Sequence, residues 1–157
     1  MKRNKYDFIK ITGLPLGVAF YGVKVKALAL VETKTFRDTE IWGNLIDRPE
    51  IFNVLTMKAK GEFNRPELRL ALDYKEDYQL INHLYSNLPF KTCLNLSDVI
   101  HYLDRNPEIA KINQNCFQRK LDKKIVEEIG QNYRRNVEKI KEIKNKIYSN
   151  IRPRIKK

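Results

Sequence analysis

An aspartate that follows a short apolar stretch is placed for chemistry in this sequence. Residues 68–72 carry leucine at every second position, and this period of two predicts a strand that stops at Asp73. From Lys75 onward the apolar residues recur with the helical period of about 3.6. Because an α/β sheet opens toward its ligand at the carboxyl ends of its strands, a carboxylate at this point can bind a metal ion or a substrate.

A structural role for the same aspartate also fits its neighbours. Asp73 and Glu76 have the spacing of a capping box, in which Asp73 would accept backbone N–H bonds at the start of the helix. Helix caps are far commoner than metal ligands. The local sequence therefore favours capping, with metal binding as the alternative.

The composition and charge indicate a folded protein with an anionic partner. The 157 residues are 42% hydrophobic, which is enough for one domain or one domain with an appendage. The formal net charge is +12, and such an excess favours binding to anions. Residues 120–157 contain 13 Lys or Arg and 5 Asp or Glu, a net charge of +8, which leaves +4 for the first 119 residues. The body is therefore mildly basic and the C-terminal region strongly basic.

Signal peptides, membrane spans, zinc sites and nucleic-acid motifs are not indicated. The basic N-terminus is not followed by an apolar signal segment, and no run of about 18 apolar residues predicts a membrane span. We therefore expect a cytoplasmic protein. Cys93 and Cys116 lie 23 positions apart without the companions of a zinc site, which favours reduced structural thiols. No helix-turn-helix or RNA-reading motif is visible, so nucleic acid is not an expected partner.

Strands and helices alternate through the first 119 residues, which predicts an α/β layered sheet. Predicted strands cover residues 8–11, 18–23, 51–57 and 68–72. Predicted helices cover residues 24–32 and 75–88, a segment through Trp42 and Leu45 capped by Asp38 or Thr39, a segment capped by Ser97, and a turn that starts at Pro107.

From Leu121 the pattern changes to that of one long amphipathic helix. Apolar residues recur every seven positions at Val126, Tyr133, Ile140 and Ile147, with a mixed charged face between them. We expect this helix to dock on its own body or to pair with another copy, with polyanion binding as the alternative. The expected domains are therefore residues 1–119 and a basic helix with a frayed tail at residues 120–157.

Five short segments occur in a fixed order between residues 7 and 118. They are 13–17 (GLPLG), 26–28 (KAL), 38–43 (DTEIWG), 65–78 (RPELRLALDYKEDY) and 106–113 (NPEIAKIN). Together they resemble the C-terminal half of the sugar-acid cytidylyltransferases, which include the CMP-sialate and CMP-Kdo synthetases. The closest branch is SpsF-like, that of the spore-coat polysaccharide proteins. The segment 65–78 is the most specific part of the resemblance.

The resemblance implies a fold, a reaction and a metal ligand. The fold would be the C-terminal half of a Rossmann-like nucleotidyltransferase sheet with flanking helices, usually in a dimer. The reaction would transfer CMP from CTP to a sugar acid and release pyrophosphate. In the family two aspartates hold Mg²⁺, one from each half of the chain, and Asp73 matches the second of them.

Substrate-binding roles are implied by the same resemblance. Pro15 and Gly17 match a loop near the sugar pocket, and Thr39 and Glu40 match a helix start near that pocket. Arg69 lies in the most specific segment and is also a candidate for substrate binding. No residue of the chain is assigned as catalytic.

The sequence departs from the family in ways that bear on activity. The family's nucleotide loop, rich in Ala-Arg-Gly-Ser, and its first Mg²⁺ aspartate, in an Asp-x-Pro setting, are not in this chain, and Ala71 replaces a common threonine. We therefore expect the chain to be inactive alone and to depend on a separate N-terminal half polypeptide. The alternative is a non-catalytic remnant or an oligomeric binding module whose cationic tail takes an acidic partner.

Overall fold

The computed structural model describes residues 5–32, 42–118 and 120–149. Three strands, seven α-helices and a short 3-10 helix (Gly61–Phe63) form the secondary structure of these residues. The strands are β1 (Phe8–Thr12), β2 (Tyr21–Val23) and β3 (Val54–Lys58), in one sheet of order β2-β1-β3. The helices are α1 (Val25–Glu32), α2 (Gly43–Ile46), α3 (Lys75–Asn87), α4 (Leu96–Arg105), α5 (Pro107–Ala110), α6 (Lys123–Arg135) and α7 (Val137–Ser149). The expected α/β class is confirmed, whereas the Rossmann-like arrangement stays a prediction.

The described residues divide into two compact units, which we call A and B. Unit A contains residues 5–9, 21–32, 42–55 and 120–149. Unit B contains residues 10–20 and 56–118. Each unit has its own hydrophobic core. Helices α6 and α7 belong to unit A and therefore dock on their own chain. This was one of the two arrangements expected for the C-terminal region. The division of the chain at residue 120 stays a prediction.

The core of unit A joins residues from widely separated parts of the sequence. Its buried members are Phe8, Ala27, Leu30, Leu45, Ile46, Ile51, Phe52, Ile129, Tyr133 and Ile140. Tyr133 of α6 also donates a hydrogen bond of 2.7 Å from its hydroxyl to the carbonyl oxygen of Leu45. Burial raises the pKa of Tyr133 to about 12, so the hydroxyl remains a donor at neutral pH.

The heptad pattern predicted a single long C-terminal helix, and this prediction is wrong. Asn136 separates α6 from α7, with backbone angles φ −115° and ψ 14°. Its side-chain amide donates to the carbonyl oxygen and the side-chain oxygen of Asn132, at 3.0 and 2.8 Å. Asparagine side chains compete in this way with the regular helical backbone, and so the helix is interrupted while both halves still face one core.

The core of unit B is built mainly from α3 and α4. Its buried members are Leu68, Leu80, Leu84, Val99, Ile100 and Leu103. Asn95, rather than the expected Ser97, caps α4 by accepting the N–H of Ser97 at 2.8 Å. Pro107 begins α5 as expected. Tyr78 and Tyr85 of α3 are exposed, whereas Asp77 lies on the buried face of the helix.

The predicted strand at residues 68–72 is reduced to one parallel bridge, between Leu16 and Arg69. Both N–H groups that would extend the pairing, those of Leu68 and Val18, donate to carbonyls three residues earlier in the chain, at 3.1 and 3.3 Å. Turns therefore end the pairing on either side. The alternation of side chains is lost, since the neighbouring residues Leu68 and Arg69 are both buried and Leu72 is exposed.

Two further expectations concern the membrane and the segment before α2. None of the described helices combines the length and the apolar character that crossing a membrane requires. The helix expected through Trp42 and Leu45 is the single turn of α2, and its expected caps, Asp38 and Thr39, lie outside the described residues.

A buried carboxylate, Asp7, ties the start of the chain to α7 within unit A. Its oxygens accept hydrogen bonds from Lys24 Nζ at 2.9 Å, from Lys144 Nζ at 2.7 Å and from the N–H of Asn53 at 3.0 Å. Burial raises the pKa of Asp7, but the bonds from Lys144, Asn53 and Lys24 outweigh it and lower the pKa from 3.8 to about 2.

We predict that Asp7→Asn lowers the free energy of unfolding by about 2 kcal/mol at neutral pH, because charge-assisted hydrogen bonds are lost. Since the pKa of Asp7 is lower in the folded chain than in the unfolded chain, its contribution is present above pH 4 and is lost as the pH falls toward 2. Urea unfolding at a series of pH values measures this. The difference between wild type and variant should shrink between about pH 4 and 2, and a constant difference would contradict the assignment; Asp98→Asn, an exposed acid, is the control.

Candidate functional site

The loop at residues 13–17 lies against the segment that leads to Asp73, within unit B. The N–H of Leu16 donates to the carbonyl oxygen of Leu68 at 2.9 Å, and the N–H of Leu70 donates to the carbonyl oxygen of Leu16 at 2.6 Å. This pair of bonds fixes the register between the two segments. Pro15 and Gly17, which flank Leu16, are thereby brought beside the segment that carries Arg69 and ends at Asp73.

Gly17 is required where the two segments touch. Its φ is +99°, a conformation that residues with a side chain rarely adopt. A Cβ atom at this position would lie 2.5 Å from the backbone nitrogen of Ala71 and 2.6 Å from the carbonyl of Leu70. Only glycine therefore allows the loop to approach the backbone this closely.

The guanidinium group of Arg69 is buried, and each of its three nitrogens donates a hydrogen bond to a residue of unit B. Its Nε and Nη2 donate to the two carboxylate oxygens of Asp77, each at 2.8 Å, which is the bidentate arrangement. Nη2 also donates to Asp73 at 2.8 Å, and Nη1 donates to the side-chain oxygen of Gln118 at 3.2 Å. Arg69 is thus placed to hold other side chains.

Asp77 is the acceptor around which this cluster is built. Besides Arg69, its carboxylate accepts the N–H groups of Asp73 and Tyr74 at 3.0 and 3.1 Å and the side-chain amide of Asn113 at 2.7 Å. The bonds from Arg69 hold the pKa of Asp77 well below its usual range, despite complete burial. The same pair raises the pKa of Arg69. Both groups are therefore charged at neutral pH.

The capping role expected for Asp73 is wrong, because Asp77 performs it. The first residue before α3 is Tyr74, and the carboxylate that accepts the free N–H groups at this helix start comes from Asp77, three residues later. The side chain of Asp73 is instead 66% exposed, with one oxygen held by Arg69. Asp73 is therefore an oriented, solvent-accessible carboxylate, which is what binding of a cation or a substrate hydroxyl requires.

An open groove of about 390 Å³ begins at the residue after Asp73. It is lined by Tyr74, Glu76, Ile112, Asn115, Cys116 and Phe117. The hydroxyl of Tyr74 donates to the carbonyl oxygen of Phe117 at 3.0 Å, while the ring of Phe117 is exposed. Burial raises the pKa of the Cys116 thiol, and nearby carboxylates add to the shift, so the thiol is protonated and is not an activated nucleophile.

The described residues do not supply a complete metal site. Among the described residues, no three His, Cys, Asp or Glu side chains come together in a way that could hold a metal ion. Mg²⁺ takes near-octahedral oxygen coordination and is usually bound by one or two carboxylates together with substrate phosphates. Asp73 supplies one such carboxylate, and the described residues alone do not form a magnesium site.

The structure brings together four of the six residues that the sequence singled out for binding. Pro15, Gly17, Arg69 and Asp73 lie in the paired segments of unit B. Thr39 and Glu40 lie outside the described residues. Sequence reasoning missed Asp77 and Asn113 as members of the cluster. The signal for Asp77 was present, since an acid at the third position of a helix commonly accepts the free N–H groups at its start.

Comparison with known proteins gives two partial matches. The chain is 29% identical over 110 residues to the "Spore coat polysaccharide biosynthesis protein SpsF" of Bacillus subtilis strain 168, and the match covers 66% of this chain. It is distantly similar to SpsF. It is also 25% identical over 121 residues, 74% of this chain, to the "Uncharacterized protein MJ1063" of Methanocaldococcus jannaschii. No protein-family model matches the chain, and no solved structure matches it.

The matched region is 45% of SpsF and 49% of the archaeal protein. The chain therefore spans about half the length of the curated relatives that it matches.

We predict that two neighbouring aspartates differ sharply in their contribution to stability. Asp77→Asn should lower the free energy of unfolding by about 3 kcal/mol, because it leaves the buried guanidinium of Arg69 without its charged partner. Asp73→Asn should change it by less than about 0.5 kcal/mol, because the carboxylate is largely exposed. Urea unfolding at neutral pH measures both. Equal losses in the two variants would show that the cluster is not organised around Asp77.

A second prediction concerns the contact made by Gly17. Gly17→Ala should destabilise the chain by about 2 kcal/mol or more, because the new Cβ meets backbone atoms and the φ angle is unfavourable. Gly43→Ala is the matched control, since a Cβ at Gly43 meets no atom within 4 Å. Thermal unfolding of both variants tests this, and similar melting temperatures for the two would be inconsistent with the close approach of the loop.

Proposed function

We propose that this chain forms the sugar-binding part of a cytidylyltransferase-like enzyme of cell-surface polysaccharide synthesis. The enzyme would transfer CMP from CTP to a sugar acid, and the fold would be the C-terminal half of a Rossmann-like nucleotidyltransferase. The proposal rests on the exposed carboxylate of Asp73, which buried Arg69 fixes beside the loop at residues 13–17. The distant similarity to SpsF supports the polysaccharide context.

In the proposed reaction an oxygen of the sugar acid attacks the α-phosphorus of CTP, the bond to the β-phosphate breaks, and pyrophosphate leaves. The contribution of this chain would be to position the acceptor, since catalysis of such transfers depends mainly on alignment and charge neutralisation. Asp73 would orient the sugar or a cation at the edge of the groove that begins at Tyr74. Pro15 and Gly17 would form the wall next to it.

The contacts of Arg69 favour a positioning role over direct binding of substrate. Four hydrogen bonds to three side chains occupy the guanidinium, and the group is buried. Arg69 would therefore act on the substrate through Asp73. Thr39 and Glu40 remain predicted members of the sugar pocket.

Magnesium would be shared with groups from outside this chain. The described residues do not complete a site for it, so a second carboxylate and the phosphates of CTP would have to supply the other ligands. The phosphate-binding loop would likewise come from outside these 157 residues. We therefore propose that the active form is a complex with an N-terminal half polypeptide, the alternative being a homo-oligomeric binding module without this activity.

The test uses the tagged chain purified from its native cells at moderate salt, with any stoichiometric partner identified by mass. We expect a partner that carries an Ala-Arg-Gly-Ser type loop, and we expect the complex to release pyrophosphate from CTP and a sugar acid. Asp73→Asn should lower kcat/KM roughly 100-fold without dissociating the complex, because a ligand of the reacting groups is lost. Asp98→Asn, which removes an exposed acid of the same unit, should leave the rate unchanged.

Two results would contradict the proposal. Pyrophosphate release by the pure chain would show that no partner is needed. Recovery of the chain as a homo-oligomer that neither binds CTP nor releases pyrophosphate would instead support a binding module whose basic helices take an acidic partner.

A further inference from the structure

Two arginines converge on a glycine in the middle of helix α6, in unit A. Measured from the position that a Cβ of Gly130 would occupy, Nη1 of Arg134 lies 3.4 Å away and Nη1 of Arg48 lies 3.5 Å away. Since each lies within about 3.5 Å of one point, the two nitrogens are no more than about 7 Å apart. Glycine is unfavourable inside a helix, and here the missing side chain lets both guanidinium groups lie against the helix surface.

Arg48 is held in this position by contacts of its Nε and of its guanidinium face. Its Nε donates to the carbonyl oxygen of Asn44 at 2.9 Å. Its Cζ lies 5.4 Å from the centre of the Tyr133 ring, a cation–π contact. Tyr133 is itself fixed by burial and by its bond to Leu45. The guanidinium is therefore preorganised, with its Nη1 directed toward Gly130.

No direct ion pair offsets the charge of either arginine within the part of the chain that the structure describes. Like charges at this separation repel each other. An arrangement that holds two such groups together is stabilised when an anion lies between them.

We propose that Arg48 and Arg134 form a binding site for a phosphate group on unit A. Guanidinium groups bind phosphate through pairs of parallel N–H···O bonds of about 2.8 Å, and a tetrahedral phosphate that accepts such bonds from both arginines fits within their separation. The site lies in unit A and involves none of the residues of the Asp73 cluster. The phosphate-site proposal is therefore independent of the proposed transferase activity.

The experiment is a titration of the full chain with inorganic phosphate at constant ionic strength, followed by the ¹H–¹⁵N signals of the Gly130 amide and of Arg48 Nε. We expect a saturable shift of both signals. Arg134→Gln and Arg48→Lys should each weaken binding about tenfold, because each removes charge-assisted or bidentate hydrogen bonds. Arg134 is exposed, so its replacement does not endanger folding even if Arg48→Lys, which alters a packed residue, proves unstable.

Arg135→Gln is the matched control. It removes the same charge from the same helix, but Arg135 lies about 140° around the helix from Gly130, whereas Arg134 lies about 40° from it. Affinity in this variant should change less than twofold. Equal weakening in Arg134→Gln and Arg135→Gln would overturn the proposal in favour of general attraction to a basic surface, as would equal shifts with chloride.

A parallel titration with pyrophosphate distinguishes the source of the phosphate group. Tenfold tighter binding of pyrophosphate than of phosphate would assign the site to a diphosphate-containing ligand, and equal affinities would assign it to a single phosphate. Both rankings support the site. Failure of both anions to shift either signal would overturn it.

Discussion

The buried ion pair between Arg69 and Asp77 is the interaction on which the organisation of unit B depends. Removing both charges from water is costly, and this cost is offset only when every remaining donor and acceptor finds a partner. Asp77 meets that condition by accepting five hydrogen bonds, from the guanidinium, from two backbone N–H groups and from Asn113. The pair therefore joins the start of α3, the segment before it and the segment after α5.

The exposed carboxylate of Asp73 is a consequence of this arrangement. Because Asp77 satisfies the free N–H groups at the helix start, Asp73 does not have to turn inward as a cap. Arg69 still reaches it with one N–H, which fixes its direction. The two acids therefore have different roles. Buried Asp77 holds the cluster together, and exposed Asp73 remains accessible to a ligand.

Local patterns in the sequence predicted the elements better than the contacts between them. The start of α3 and the place of Pro107 follow from nearest-neighbour chemistry and were predictable. The contacts of Asp77 with Arg69 and Asn113 span 8 and 36 positions and leave no local periodicity to read. Residues 68–72 show the opposite failure, because leucine alternates there in the sequence but turns take the N–H groups that strand pairing needs, and no strand forms. The heptad pattern likewise predicted the core positions of Tyr133, Ile140 and Ile147 but not the interruption of the helix at Asn136.

The composition of unit A has a consequence for folding during synthesis. Its core joins Phe8, near the start of the chain, with Ile129 and Ile140, near the end of the described residues. On the ribosome this core stays incomplete until α7 has left the exit tunnel, whereas every core residue of unit B has emerged by then. Unit B is therefore able to fold first. Until α6 and α7 have emerged, the apolar residues of α1 stay exposed in the nascent chain, where chaperones can bind them.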